Sequence, residues 1–95
     1  MLDLLFSTNY FIEKLQKTEE NQRTYCIEEC SEFIKELCKM NRGRGDIDHA
    51  IEEACDVIAT SYAYLKLLNI ADMEITERIE YKYNRAVERI EKVEI

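Results

Sequence analysis

The sequence predicts an all-α fold, an antiparallel helical bundle of three to four helices, and three observations indicate it. The 95-residue chain has no proline, and its two glycines stand together in the segment NRGRGD, which is the strongest break in the chain. Apolar residues recur at helical spacing on both sides of that break. No segment alternates apolar and polar residues long enough to indicate a strand. We therefore expect a single helical domain over residues 1–95.

Two predicted helices flank the glycines. One spans about residues 21–40, and the other runs from Asp46 or Asp48, either of which can cap it, to about Leu68. Each has an apolar stripe at a spacing of 3.6 residues, which we expect to form the core. The stripe of the first helix consists of Cys26, Cys30, Phe33, Ile34 and Leu37. The stripe of the second consists of Ile51, Cys55, Ile58, Tyr62 and Leu65.

The outer segments also predict helices. Residues 73–94 contain no helix breaker, alternate in charge and repeat apolar residues at Ile75, Ile79, Tyr83, Val87 and Ile90, which indicates a long helix with a narrow apolar seam. Residues 2–17 predict a shorter helix. A domain of this size buries only a modest part of its surface, so we expect a second copy to complete the bundle, as a homodimer or homotetramer.

Composition limits the classes of partner and location. The chain has 20 acidic and 13 basic residues, a net charge of −7, which argues against binding nucleic acid or an anionic membrane surface by bulk electrostatics. No apolar run is long enough for a membrane span, and the first residues lack the basic region of a signal peptide, so we expect a cytoplasmic protein. The four cysteines form no C-x-x-C motif, and we expect free thiols.

Two carboxylate doublets are the main functional signal. Glu29 and Glu32 belong to the first central helix, and Glu53 and Asp56 belong to the second. An i,i+3 pair lies on one helix face, so two adjacent helices would bring all four carboxylates to one point, where they repel unless a cation joins them. Ligands that are all oxygen favour Mg²⁺ first and Mn²⁺ second.

The alternative interpretation of each doublet is an ordinary solvated face, because acidic i,i+3 pairs are frequent in a glutamate-rich chain. Two observations favour a site. Neither Glu53 nor Asp56 has a basic residue at i+4, and the neighbouring Ala59 and Ala63 are small enough to form a groove. A phosphate-bearing ligand would also need cations, which Lys35, Lys39, Arg42, Arg44, Lys82 and Arg85 offer.

The segment EECSEFIKELCKMNRG, followed by DIDHAIEEACDVIA, resembles the MazG-like all-α NTP pyrophosphatases, whose signature is E-x-x-E on one helix and E-x-x-D on the next. The resemblance covers about residues 22–68. It implies Mg²⁺-dependent hydrolysis of a nucleoside triphosphate to its monophosphate and pyrophosphate. The residues it implies as metal ligands are Glu29, Glu32, Glu53 and Asp56. Glu28 or Glu29 is implied as the general base, and the residues implied to neutralise phosphates are Lys39, Arg42, Lys82 and Arg85.

The sequence departs from this family in lacking tryptophan, which many members place against the base. Two other interpretations remain. In one, the chain is a non-enzymatic helical module that oligomerises through the 73–94 seam and uses its acidic faces only for solubility. In the other it is a di-iron bundle, but this needs Glu-x-x-His, whereas the single histidine gives the reversed His49-x-x-Glu52. We expect His49 to be a polar first-turn residue or a group that orients Glu53.

Overall fold

The computed structural model describes residues 4–94, with side chains to residue 92, and consists there of four α-helices without strands. The helices are α1 (Leu5–Lys14), α2 (Glu19–Asn41), α3 (Ile47–Leu67) and α4 (Asp72–Glu94). The predicted all-α fold is confirmed, and the bounds of α2, α3 and α4 agree with the expected ranges within two residues. The predicted start of the first helix at Leu2 lies outside the described residues, and α1 ends three residues before the predicted Lys17.

The turn between α2 and α3 needs both of its glycines, each for a different reason. Gly43 has φ +73°, in the left-handed region that side chains other than glycine rarely adopt. A Cβ atom on Gly45 would lie 2.8 Å from the backbone nitrogen of Met40, so the chain returns too close to α2 for any other residue. Asp46 then caps α3, because its side chain accepts the backbone N–H of Asp48 at 2.9 Å. The chain therefore reverses direction within a few residues.

Helices α2 and α3 form an antiparallel hairpin, and α1 packs across α3. Helix α4 leaves the end of α3 after a turn at Asn69, which has φ +61°, and packs against none of the other helices within residues 4–94. Over the same range, no helix combines the length and the apolar character that crossing a lipid bilayer requires. Because α2 and α3 make the most extensive contact between helices, a site formed by two helices is expected in this hairpin.

The predicted core stripes are buried only in part. Their half-buried members are Cys26, Cys30, Phe33, Tyr62 and Leu65. Ile34, Ile51 and Ile58 belong to those stripes, yet they are 60%, 54% and 55% exposed. The buried positions among the described residues are instead small or polar, namely Gln22, Glu36, Ala50, Thr60 and Ala63. The reason is that the side of α2 that faces α3 is made of polar and small residues, as in the 3.6 Å contact of Cys26 Sγ with Ser61 Oγ, while these isoleucines lie outside that contact.

Candidate functional site

The hairpin brings three of the four predicted ligands together. Glu29 extends from α2, while Glu53 and Asp56 extend from adjacent turns of α3. Each offers a carboxylate oxygen, and these three oxygens all lie within 4.8 Å of one another. We call these residues the acidic cluster. Glu32, one turn after Glu29, is exposed and is not among the three. The convergence follows from the antiparallel packing, which places the middle of α2 opposite the middle of α3.

The carboxylates of the acidic cluster repel one another, and the pKa of Glu29 reflects this repulsion. Partial burial raises the pKa of Glu29, and the charges of Asp56 and Glu53, a hydrogen bond with Asp56 and the charge of Glu32 raise it further. Burial also raises the pKa of Tyr25, with the charges of Glu29 and Asp56 adding to it. A carboxyl group in this position favours either a proton or a cation at close range. The position of Glu32 therefore still affects the cluster, although its oxygens lie outside it.

His49 connects the acidic cluster to the buried carboxylate of Glu36. Its Nε2 lies 2.9 Å from Oε1 of Glu53, and its Nδ1 lies 3.2 Å from Oε2 of Glu36. His49 was expected to be a polar first-turn residue or a group that orients Glu53; it lies in the first turn of α3, and it contacts Glu53. One oxygen of Glu53 is thereby held by His49.

Glu36 is only 3% exposed, and it fastens the start of α3 to α2. Its Oε1 accepts the backbone N–H of Asp46 at 3.0 Å, and Lys39 Nζ stands 4.0 Å from its Oε2. The backbone N–H of Asp46 is the main cause that lowers the pKa of Glu36, with His49 and Lys39 adding to it against the opposing effect of burial. This carboxylate is therefore a structural anion, whose partners are already in place.

The predicted phosphate-binding cations are dispersed. Lys39 pairs with Glu36, and Arg42 is an exposed residue at the C-terminal cap of α2. Lys82 and Arg85 lie on α4, which packs against no other helix of the described chain, so the single chain does not bring them to the acidic cluster. Glu28, the other candidate base, is exposed on α2 next to Glu29.

A groove of about 250 Å³ opens beside the acidic cluster, between α1 and α3. Asp56 forms one edge of it, and the small side chains of Ala59 and Ala63 are among its lining residues, as the sequence predicted. Phe11 and Tyr25 contribute aromatic rings from α1 and α2. The groove is therefore an apolar cavity with a carboxylate at its edge, large enough for a small planar group.

The sequence interpretation assigned no structural role to two residues that hold the hairpin together. Gln22 is fully buried, and its Nε2 donates to the backbone oxygen and to Oγ1 of Thr60 at 3.0 and 2.9 Å. Glu36 has the role described above. A signal was available, because Gln22, Glu29 and Glu36 are spaced by seven residues and so lie on one face of α2.

The resemblance to the MazG-like proteins rests on the sequence motifs alone. No protein-family model matches this chain, and no curated protein and no solved structure matches it either.

Proposed function

We propose that the protein is a cytoplasmic, Mg²⁺-dependent nucleotide pyrophosphohydrolase of the MazG-like type, which converts an NTP or dNTP to its monophosphate and pyrophosphate. The observation that carries the proposal is the acidic cluster, in which two helices bring three carboxylate oxygens within 4.8 Å of one another. Carboxylates this close repel one another and so reduce the stability of the folded protein. Such clusters of repelling charges are typical of functional sites.

The chemistry of the donors fits the group that the proposal requires. Glu29, Glu53 and Asp56 offer only oxygen, which suits a hard divalent cation, and Glu32 stands one turn away on the same helix as Glu29. When bound, Mg²⁺ or Mn²⁺ would screen the triphosphate and lower the pKa of a water molecule. His49 supports the arrangement by holding one oxygen of Glu53 in a fixed position.

The remaining roles fall to residues of this chain. Glu29 and the adjacent, exposed Glu28 are the two candidates for the general base that removes a proton from the attacking water. The groove beside Asp56 is the place for the base of the nucleotide, where Phe11 and Tyr25 offer aromatic rings. Lys39 and Arg42 lie towards the other end of the hairpin, where the phosphates would extend.

The test is product analysis. Purified protein is incubated with a panel of NTPs and dNTPs, with Mg²⁺ and with a chelator, and the products are separated. We expect monophosphate and pyrophosphate from at least one nucleotide, and only with metal. Diphosphate and orthophosphate, or no turnover of any nucleotide, would contradict the proposal.

A pair of variants on α3 locates the activity. Glu53→Gln keeps the size of the side chain but removes a ligand charge, so we expect turnover to fall by about 100-fold or more. Glu52→Gln is the matched control, because Glu52 is the preceding glutamate of the same helix and is exposed. Its turnover should stay within about two-fold of the original. Equal losses in both variants would show that the cluster is not the site.

Metal binding has a readout that does not depend on activity. Binding to the folded state alone raises stability by about 2.7 kcal/mol when the free ion is at 100 times its Kd. Mg²⁺ should therefore raise the melting temperature of the original protein and of Glu52→Gln, but not that of Glu53→Gln. A rise of the same size in all three proteins would indicate unspecific binding.

A second candidate function is a non-enzymatic helical interaction module. The observation in its favour is the amount of exposed apolar surface, since Ile51 and Ile58 on α3 and Val87 and Ile90 on α4 are all more than half exposed. This function predicts no turnover and no effect of Mg²⁺ on stability, so the experiments above separate it from the enzyme.

A further inference from the structure

The imidazole ring of His49 is fixed on one side by a buried anion. Its Nδ1 lies 3.2 Å from Oε2 of Glu36, whose other carboxylate oxygen accepts the backbone N–H of Asp46 at 3.0 Å. Glu36 is ionised, and an ionised carboxylate can only accept hydrogen bonds. Nδ1 of His49 therefore carries a hydrogen atom and donates it to Glu36.

The other nitrogen of the same ring faces a second acceptor. Nε2 of His49 lies 2.9 Å from Oε1 of Glu53, which belongs to the acidic cluster. In a neutral imidazole with its hydrogen on Nδ1, Nε2 has only a lone pair, and so does the oxygen of an ionised carboxylate. Two such atoms repel at this distance unless a cation lies between them. A proton meets this need in the metal-free protein, and a metal ion can take its place and release the proton to solvent.

The separation of these two atoms matches that of neighbouring ligands on one metal ion. With metal–ligand bonds of ~2.1 Å, adjacent corners of an octahedron are about 3.0 Å apart. A carboxylate on the far nitrogen is also the usual partner of a metal-binding histidine, because it fixes the ring and directs the free lone pair at the metal. The side chain of His49 is 49% exposed, so water can reach the remaining positions around such an ion.

The imidazole would change which metal ion the site prefers. The acidic cluster offers oxygen alone, which suits Mg²⁺, whereas an imidazole nitrogen favours first-row transition metals. His49 is not itself one of the three residues of the cluster and reaches it through Glu53, four residues further along α3. A mixed set of carboxylate oxygens and one imidazole nitrogen, at octahedral spacing, fits Mn²⁺.

We propose that Nε2 of His49 is a metal ligand that shares an ion with Oε1 of Glu53, that Glu36 positions its ring, and that the site binds Mn²⁺ in preference to Mg²⁺. The proposal rests on the metal-binding part of the proposed function and not on its hydrolytic part. It adds a nitrogen ligand to a set that the sequence motifs describe as oxygen only.

Metal titration of the untagged protein without nucleotide tests the preference. By calorimetry, Mn²⁺ should bind the original protein about 10-fold more tightly than Mg²⁺, or better. His49→Ala should weaken Mn²⁺ binding by about 10-fold or more and Mg²⁺ binding by less than about 3-fold. Glu52→Gln is the matched control, because Glu52 is an exposed residue in the turn of α3 between His49 and Glu53, and both affinities should stay within about two-fold.

Glu36→Gln tests the positioning role. It keeps the size of the side chain but gives Nδ1 of His49 a weaker acceptor, so Mn²⁺ should bind about 10-fold less tightly while Mg²⁺ binding changes little. A residue that only stabilised the hairpin would weaken both ions alike. Equal losses for Mn²⁺ and Mg²⁺ would therefore overturn the role of Glu36.

A spectroscopic measurement reads the metal–nitrogen bond directly and needs no variant to fold. The chain has a single histidine, so any imidazole nitrogen coupled to bound Mn²⁺ in pulsed electron paramagnetic resonance belongs to His49. We expect this coupling in the original protein. Bound Mn²⁺ without the coupling, an Mn²⁺ affinity that His49→Ala leaves unchanged, or an original protein that binds no Mn²⁺ would each overturn the proposal.

These outcomes are distinct from those that test the proposed function. Turnover of a nucleotide without nitrogen coupling would keep the pyrophosphohydrolase and exclude His49 from its metal site. Nitrogen coupling in a protein that turns over no nucleotide would keep His49 as a ligand and exclude the enzyme.

Discussion

The surface between α2 and α3 and the outer surface of the same hairpin differ in composition. The first consists of hydrogen-bonded polar groups, and the second exposes apolar side chains. The inner contact is polar, with the Gln22–Thr60 hydrogen bonds at one end and the Glu36–His49 pair at the other. The outer surface carries residues such as Ile34 and Ile51, which are more than half exposed. Buried polar groups need partners in fixed directions, whereas an apolar surface needs only to leave water. The hairpin therefore fixes the register of α2 against α3 through polar contacts, while large apolar side chains of both helices stay exposed.

This difference gives the polar contact a defined role. Each of its hydrogen bonds adds little net stability, but a lost partner leaves a buried group unpaired at a larger cost. The contact thus acts mainly by penalising other alignments of α2 and α3. Correct alignment is also what brings Glu29 opposite Glu53 and Asp56. The following predictions test this division of roles, in order of decreasing effect.

Glu36→Ala should have the largest effect. It removes the acceptor of the Asp46 N–H and the partner of His49 from a position that is 3% exposed. We expect the melting temperature at fixed protein concentration to fall by about 15 °C. Thermal unfolding followed by circular dichroism measures it.

Glu32→Ala is the control for Glu36→Ala, because Glu32 lies on the same helix but is exposed. Its melting temperature should change by no more than about 3 °C. Equal losses in the two variants would mean that the buried carboxylate does not hold the hairpin.

Gln22→Ala tests the other end of the polar contact. The change leaves Oγ1 of Thr60 without the donor that the structure gives it, and it opens a small cavity. We expect a loss of about 10 °C in melting temperature. Thr60→Ala combined with Gln22→Ala should cost less than the sum of the single variants, because the two residues share one interaction. Strict additivity would contradict the coupling.

The sequence predicts the helices well because their limits are set by local chemistry, such as the two glycines of the turn and Asp46 at the start of α3. The convergence of Glu29 with Glu53 and Asp56 follows from the same local rules plus antiparallel packing. These local rules do not determine which way the apolar stripes of α2 and α3 face in the folded chain. Amphipathicity shows that Ile34 lies on an apolar side of α2, but it does not show which side of α2 contacts α3.

The acidic cluster and Glu36 should give opposite dependences on pH in metal-free buffer. The raised pKa of Glu29 means that its protonation favours the folded state, so stability is gained as the pH falls through this raised pKa. The lowered pKa of Glu36 means that its stabilisation is present at higher pH and is lost as the pH falls through the lowered value. Acidification from neutral pH should first stabilise and then destabilise the protein.

The variants Glu29→Gln and Glu36→Gln separate the two effects of pH on stability, the initial rise and the later fall. Melting temperatures measured with a chelator across the acidic range should lose the initial rise in Glu29→Gln and the later fall in Glu36→Gln. Glu29→Gln should also be modestly more stable than the original protein at neutral pH, because it removes a repelled charge. A rise that persists in Glu29→Gln would assign it to another group.

The smallest effect is expected where α4 joins the hairpin. Asp72 accepts a hydrogen bond from Oη of Tyr62 at 2.6 Å and pairs with Nζ of Lys66, and both partners lower its pKa. Because Asp72 is half exposed, Asp72→Asn should lower the melting temperature by only about 3 °C. Glu74→Gln, which breaks the exposed pair with Arg78, is the control and should change it by less. A much larger loss in Asp72→Asn would show that this joint contributes more to the stability of the fold than its exposure indicates.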